Sequence, residues 1–393
     1  ADCAEAAVKS LTAGVEMDME SRCYKQSLTR LVEEGVLPLK TLDEAVRRVL
    51  RIKVLLGLFE KPYTDPKLEK EVMLAGPHLE LARQMARESI VLLRNQDGVL
   101  PLAKTGITVA VVGPLIDRKA ELLGTWRCEG DSSRVVPVLQ GIRSAMGASA
   151  TILTAHGCEI DGTLRDGIPA AVEIARRADV VIADVGESAG MSGEAASRAH
   201  IHLPGVQEEL LKALAATKKP VVAVVLAGRP LAIPWAAENL PAIIMAWHGG
   251  HQAGQAIADV LFGDYNPSGR LPVSWPRSSG QMPLYYNYKT TGRPGTSDKF
   301  TSRYLDIAST PQFSFGYGLS YTRFEYANLQ LDRKEIGPGG ELQVSIEVKN
   351  GGARAGDEVV QLYIRDLVGS ITRPVRELKG FKRIHLEPGQ TQI

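Results

Sequence analysis

One stretch of this 393-residue chain brings together side chains that can move protons. Residues 187–205, ESAGMSGEAASRAHIHLPG, carry Glu187 and Glu194 with Ser192, Arg198, His200 and His202. A carboxyl group set among small residues suits a positioned general acid. The pliant backbone lets it reach into a cleft, and an apolar wall beside it raises its pKa toward neutrality. A glutamate on a long loop is usually just a solvated surface charge, so on these residues alone catalysis is the less favoured of two open readings. His200 and His202 project to one side of an extended segment, but no third ligand stands at useful spacing, and no metal site is expected. His248 and His251 in AWHGGHQAG, with Gly249, Gly250 and Gly254, suggest a tight strand-to-helix turn that would suit an anion or a dinucleotide. The strand ending VVGP lacks Gly-x-Gly-x-x-Gly, and neither a Walker loop nor a Gly-x-Ser-x-Gly elbow occurs, so no cofactor is expected. Trp126, in LLGTWRCEG, has the type to stack on a sugar face or to pack in a core.

The elements that must hold these residues are legible as apolar runs. ITVAVVG (Ile107 to Gly113), TILTA (Thr151 to Ala155), DVVIADVG (Asp179 to Gly186), PVVAVVLAG (Pro220 to Gly228) and PAIIMAW (Pro241 to Trp247) read as strands. Most are continuous rather than alternating, as expected when both faces of a parallel sheet are covered. Helical segments fall between them at 138–146, 168–178, 205–217 and 252–262, and one long helix, Glu80 to Arg94, precedes them. The pattern is that of a doubly wound α/β sandwich, spanning residues 77–275. In such a sheet ligands bind outside the carboxyl ends of the strands, where the loop carrying Glu194 begins.

Residues 1–60 read as the end of a TIM-like βα barrel: a helix over 4–13, a short buried strand GVEMDM (Gly14 to Met19), and two amphipathic helices. The second carries Leu42, Ala45, Val46, Val49, Leu50 and Val54 on one face, with Thr41 and Glu44 as a capping box. Residues 61–76, with KPYTDPK, read as a linker, and 276–325 as an ordered connector. From 326 to 393 the rhythm has period two, as in ELQVSIEVKN, EVVQLYIRD and RELKGFKRIHL, which indicates a fibronectin type III-like antiparallel β-sandwich. Fewer residues follow Tyr326 than the ~100 such a sandwich takes, so it is expected to be truncated.

Lys and Arg number 46 against 45 Asp and Glu, a net charge of +1, which argues against nucleic-acid partners and membrane-surface binding through bulk charge. No apolar window is long enough to insert in a membrane, and no signal peptide is visible. Of the four cysteines, Cys3, Cys23, Cys128 and Cys158, no two form a Cys-x-x-Cys pair. They are too few and scattered for a disulfide framework, and Cys128 and Cys158, which could pair, are expected as buried free thiols.

The runs SGEAASRAHIHLPGVQEELL, AWHGGHQAGQAIADVLFGDYNPSGRLPVSWPRSSGQMPLYYNYKTTGRP and FSFGYGLSYTRF resemble the family 3 glycoside hydrolases of the bacterial three-domain type. That resemblance covers nearly the whole chain. It implies a retaining mechanism run by two carboxylates from different domains, with β-glucosides or short β-glucans as substrates and no cofactor. The family's acid/base lies in a Ser-Gly-Glu-Gly-type run followed by an Arg. Here that run is Ser192-Gly193-Glu194-Ala195-Ala196-Ser197-Arg198, with Ala195 for the commoner Gly and Ser197 for the commoner Asp, so Glu194 is the implied acid/base. Arg198 would tether the loop, Glu187 would support it or remain solvated, and Trp126 and Ser192 would face the substrate. The family's nucleophile is an Asp at a barrel strand end. Asp2 lacks that strand, Asp18 belongs to the following one, and the nucleophile is expected in a barrel segment upstream of this sequence. A β-xylosidase or dual-activity enzyme, and a non-catalytic carbohydrate-binding module, are the alternatives. Export to the periplasm or beyond is implied by the resemblance, and a homodimer is compatible with the sequence.

Overall fold

The computed structural model describes residues 2–393, which divide into two units between Ala75 and Gly76. The first unit is helical: α1 (Cys3–Thr12), α2 (Cys23–Glu33), α3 (Leu39–Leu55) and α4 (Pro66–Val72). Asp2 caps α1 by accepting the Glu5 N–H at 2.8 Å. Ala7, Leu11, Leu31, Leu37 and Ala45 form its small core, whereas Val46, Leu50 and Val54 of α3 stay exposed.

Four sequence expectations fail in this unit. GVEMDM is not a strand: no partner strand lies beside it among the described residues, and Val15, Met17 and Met19 are exposed. Asp18 instead accepts the Ser21 hydroxyl and the Tyr24 N–H, which holds its carboxyl below the ordinary range. Pro38, not Thr41, precedes α3, because its fixed φ of −63° already suits the approach to a helix, and no capping box forms. The expected linker contains α4, capped by Asp65 with Pro66 in its first turn. Cys3 and Cys23 form a disulfide joining the first turns of α1 and α2; Cys128 is free but exposed, and Cys158 is free and buried, its thiol pushed up to about 11. Spacing in sequence hid that pair, since the two N-terminal turns meet only through the packing of α1 against α2.

In the second unit α5 (Gly76–Ser89) leads to β1 (Val91–Asn95), followed by β2 (Thr108–Val112), α6 (Val138–Met146), β3 (Thr151–Ala155), α7 (Ile168–Arg177) and β4 (Val180–Gly186). Then come α8 (Gln207–Ala215), β5 (Val221–Leu226), α9 (Pro234–Asn239), β6 (Ala242–Met245) and α10 (Ala253–Leu261). The sheet order is β1-β6-β5-β4-β2-β3, parallel except for β1, which runs antiparallel to β6. The expected helix from Glu80 to Arg94 therefore stops at Ser89. The triplet Val91-Leu92-Leu93 is wholly buried, and pairing it to the open edge of β6 satisfies backbone groups that a helix would leave unpaired on the sheet. Val109 and Val111 of β2 point to one core with α6 and α10, while Ala110 and Val112 point to the other with α7 and α8. Both faces are buried, which is why the strands read as unbroken apolar runs.

The connector wraps back over this sheet. Leu319 donates its N–H to Leu92 of β1 at 2.8 Å, covering the edge, and Trp275 is buried with its indole N–H on the Leu231 carbonyl at 2.6 Å. Beyond it, β7 (Phe324–Leu331), β8 (Val344–Asn350) and β11 (Thr391–Gln392) form one antiparallel sheet, and β9 (Gly356–Ile364) and β10 (Glu377–Leu386) another. Val348, Ile384 and Leu386 are the core between them. No helix among the described residues is long and apolar enough to cross a membrane.

Asp184 of β4 is completely buried, and neither carboxyl oxygen has a partner among the described residues. Burial, with the Asp117 charge nearby, pushes its carboxyl well above the usual range. The folded protein thus holds a proton that the unfolded chain releases near pH 4, and stability is lost as pH rises toward the folded value. Asp184→Asn removes that titration. Its stability relative to the parent should climb above about pH 4 by up to about 1.4 kcal/mol per pH unit, read from urea midpoints between pH 4 and 8. A pH-independent difference would contradict the assignment.

Candidate active site

The strand order reverses at the junction of β2 and β4, since β3 lies on one side of β2 and β4 on the other. In α/β sheets of this kind the crevice that takes a ligand lies at that point, at the carboxyl ends of the strands. Two loops border it: residues 114–137 after β2, with a short 3-10 turn at Ala120–Leu123, and residues 187–205 after β4.

Glu187 starts the second loop. Its N–H extends the ladder to Leu226 of β5 at 2.8 Å, which drives its side chain into a site where it is 0% exposed. Arg198 Nη1 lies 2.5 Å from its Oε1 and Arg229 Nε 3.3 Å from its Oε2. Glu187 is therefore not a solvated carboxylate. The second nitrogens of the two guanidinium groups continue into the loop backbone, Arg198 Nη2 to the His202 carbonyl at 3.1 Å and Arg229 Nη2 to the carbonyls of Ala196, at 2.8 Å, and Met191. From the other wall, Glu121 Oε2 accepts the Ala189 N–H at 2.6 Å, and the Thr125 hydroxyl faces the carbonyls of Ala189 and Ser192.

These contacts grip the loop at Met191 and Ser192 on one side of Glu194 and at Ala196 and Arg198 on the other. Glu194 itself is exposed and takes no hydrogen bond or ion pair among the described residues. Gly193, at φ +100°, and Ala195, at φ +57°, flank it in left-handed backbone. A Cβ at Gly193 would come within 3.0 Å of the Thr125 methyl, and an alanine at such a φ costs about 1–2 kcal/mol. That cost gives the physical reason a glycine suits position 195 better.

Trp126 follows Thr125 on the rim and is 69% exposed. Ser192, expected on the substrate, is 7% exposed and turns its hydroxyl inward against Gly228, where a Cβ would collide with it. The histidine pairs do not assemble as ligands. His200 is exposed while His202 Nδ1 sits 3.2 Å from the Ala232 carbonyl; His251 Nε2 faces the Asp131 carbonyl and His248 Nδ1 the Glu121 carbonyl. No group of three or more His, Cys, Asp or Glu among the described residues is placed to hold a metal.

Residues 90–321 match the glycosyl hydrolase family 3 C-terminal domain, and residues 358–393 a fibronectin type III-like domain. The chain belongs to glycoside hydrolase family 3. It is 44% identical over 418 residues to a periplasmic β-glucosidase of Salmonella typhimurium, covering 99% of this chain and 54% of that protein. A β-xylosidase of Formosa agariphila is 40% identical, over 99% of this chain and 55% of its own length. A crystal structure of a mutant β-glucosidase from Listeria innocua with laminaribiose superposes with a TM-score of 0.93 at 39% identity, over 100% of this chain and 54% of that one. The chain thus spans about half the length of the relatives it matches.

Within this family 3 chain, sequence reading missed Glu121, Thr125 and Arg229. Arg229 carried a usable signal: it stands just past the carboxyl end of β5, the strand beside the one that launches the loop. Glu187→Gln would strip two guanidinium groups of their shared anion. We expect it to destabilise the fold by about 3 kcal/mol, the lower end for breaking a buried pair because both arginines keep some solvent contact. Chemical denaturation measures this, and a loss under about 1 kcal/mol would contradict the central role given to Glu187.

Proposed function

We propose that this chain supplies the acid/base half of a retaining β-glucosidase and that Glu194 is the acid/base. The observation that carries the reading is the presentation of Glu194: a partnerless carboxyl between two stretches of backbone that Arg198, Arg229, Glu121 and Thr125 hold in place. In the first step Glu194 gives its proton to the glycosidic oxygen as that oxygen leaves the anomeric carbon and a second carboxylate takes its place there. In the second step Glu194 takes a proton from the water that displaces the sugar from that carboxylate. The second carboxylate comes from a barrel segment outside this sequence, held ~5–5.5 Å from Glu194 across the scissile bond. Trp126 offers an exposed indole on which a sugar ring can stack. Arg198 and Glu187 position the loop without touching sugar, and no cofactor enters the scheme.

Terminal β-D-glucosyl residues of short β-glucans or aryl glucosides are the proposed substrates, supported by the names of the relatives and by the laminaribiose bound in the Listeria innocua structure. The Formosa agariphila relative, named a β-xylosidase, favours a second reading in which xylosides are also cleaved. Comparing aryl glucoside with aryl xyloside turnover separates the two. A site of action outside the cytoplasm is supported by the periplasmic relative and by the Cys3–Cys23 disulfide, a bond that persists in oxidising compartments.

In the full-length enzyme, Glu194→Gln should lower kcat/KM on cellobiose by about 10²–10⁴-fold. The loss should shrink for aryl glucosides whose leaving groups need no proton. Parent-like hydrolysis of cellobiose by the variant would overturn the assignment.

A further inference from the structure

The carboxyl end of β6 reaches the same edge of the sheet as the loop bearing Glu194, and the backbone there is strained. Trp247 adopts φ +56°, a region an aromatic residue seldom enters, and its indole N–H is anchored on the Ser89 carbonyl at 3.0 Å. Such strain persists only where the surroundings fix it, and it gathers at functional sites. Its effect is to turn the next residue, His248, beneath the two loops of the crevice. The ring packs against Gly124, where a Cβ would stand 3.3 Å from that of His248.

His248 Nδ1 lies 2.8 Å from the Glu121 carbonyl, which only accepts, so Nδ1 carries the hydrogen. Burial pushes the imidazole below its ordinary pKa, against the opposing influence of that carbonyl and of the Glu187 and Glu121 charges. Nε2 is then a bare lone pair. It is buried and has no partner among the described residues. The ring carbon bonded to it, Cδ2, would lie 3.6 Å from a Cβ at Gly228, the same spot pressed by Ser192 Oγ. An unpaired acceptor and an unpaired hydroxyl donor thus flank one glycine.

We propose that His248 is a positioning residue for Glu194, holding the Glu121 turn through Nδ1–H and offering the buried Nε2 lone pair directly to the Ser192 hydroxyl beside Gly228. The first arm reaches the loop because the Glu121 carboxylate grips Ala189. The second reaches it at Ser192, two residues before Glu194. Loss of either arm lets the carboxyl drift from the glycosidic oxygen, and a displacement of about 1 Å costs about 10²-fold in rate. The inference rests on Glu194 being the acid/base.

The test is a double-mutant cycle in the full-length enzyme with cellobiose. His248→Asn keeps a donor near the Nδ1 position and loses the acceptor; His248→Gln places an amide oxygen near the Nε2 position. His248→Asn should lower kcat by about 10–100-fold with KM little changed, and His248→Gln should recover part of that loss. In a Glu194→Gln background the His248→Asn loss should vanish, since there is no longer a proton donor to misplace. Parent-like kcat in His248→Asn, or a loss of the same size in both backgrounds, would overturn the positioning role. If His248→Asn does not fold, as judged by its thermal midpoint, the cycle is run with His248→Gln, whose partial loss must likewise disappear in the Glu194→Gln background. Failure of the acid/base reading shows separately, as full cellobiose activity in Glu194→Gln alone.

Discussion

The Glu187 carboxylate, wholly buried and shared by Arg198 and Arg229, is the interaction on which the rest of the site depends. A buried charge is costly unless it is paired and its remaining lone pairs are used. Here the second nitrogen of each guanidinium turns to loop carbonyls, so one anion fixes backbone at His202 and at Met191 and Ala196. The loop needs such an anchor around Glu194 because its buried apolar side chains, Ile201 and Leu203, lie only toward its far end. Its small residues make no core of their own, and left-handed backbone on either side of Glu194 works against spontaneous order.

The sheet makes the anchor possible. Glu187 continues the β4 ladder onto β5, Arg229 follows the end of β5, and the loop after β2 closes the opposite wall with Thr125 and Glu121. Three neighbouring strand ends therefore meet around one loop at the point where the winding reverses. Parallel strands with both faces covered give the platform from which these loops rise. Outward from that platform Glu194 and Trp126 stand exposed, the two groups that the proposed chemistry puts against the sugar.

The five parallel strands were legible because burial on both faces writes unbroken apolar runs, and the Glu194 loop because it is long and rich in small residues. What escaped the sequence depended on tertiary partners. Val91-Leu92-Leu93 fits a helix or a strand until the edge of β6 is available. GVEMDM reads as a strand but has no neighbour to pair with among the described residues. Cys3 and Cys23 stand 20 residues apart and meet only because α1 and α2 pack together. In the site, Arg229 lies 42 positions from Glu187 and Thr125 67 from Ser192, separations at which no local pattern links the pair. The role of Glu194 came from the resemblance of its surrounding run to a family; residue types alone favoured a solvated charge.

That a single carboxyl, Glu194, both protonates the leaving oxygen and activates the water is tested most directly by replacing it with a group that does neither and supplying a nucleophile that needs no base. In the full-length Glu194→Ala enzyme, with an aryl β-glucoside whose leaving group requires no proton, added azide should raise the turnover. The product should be β-glucosyl azide, formed when azide displaces the second carboxylate from the anomeric carbon. Turnover indifferent to azide, with glucose as the sole product, would contradict the assignment of Glu194 as the acid/base.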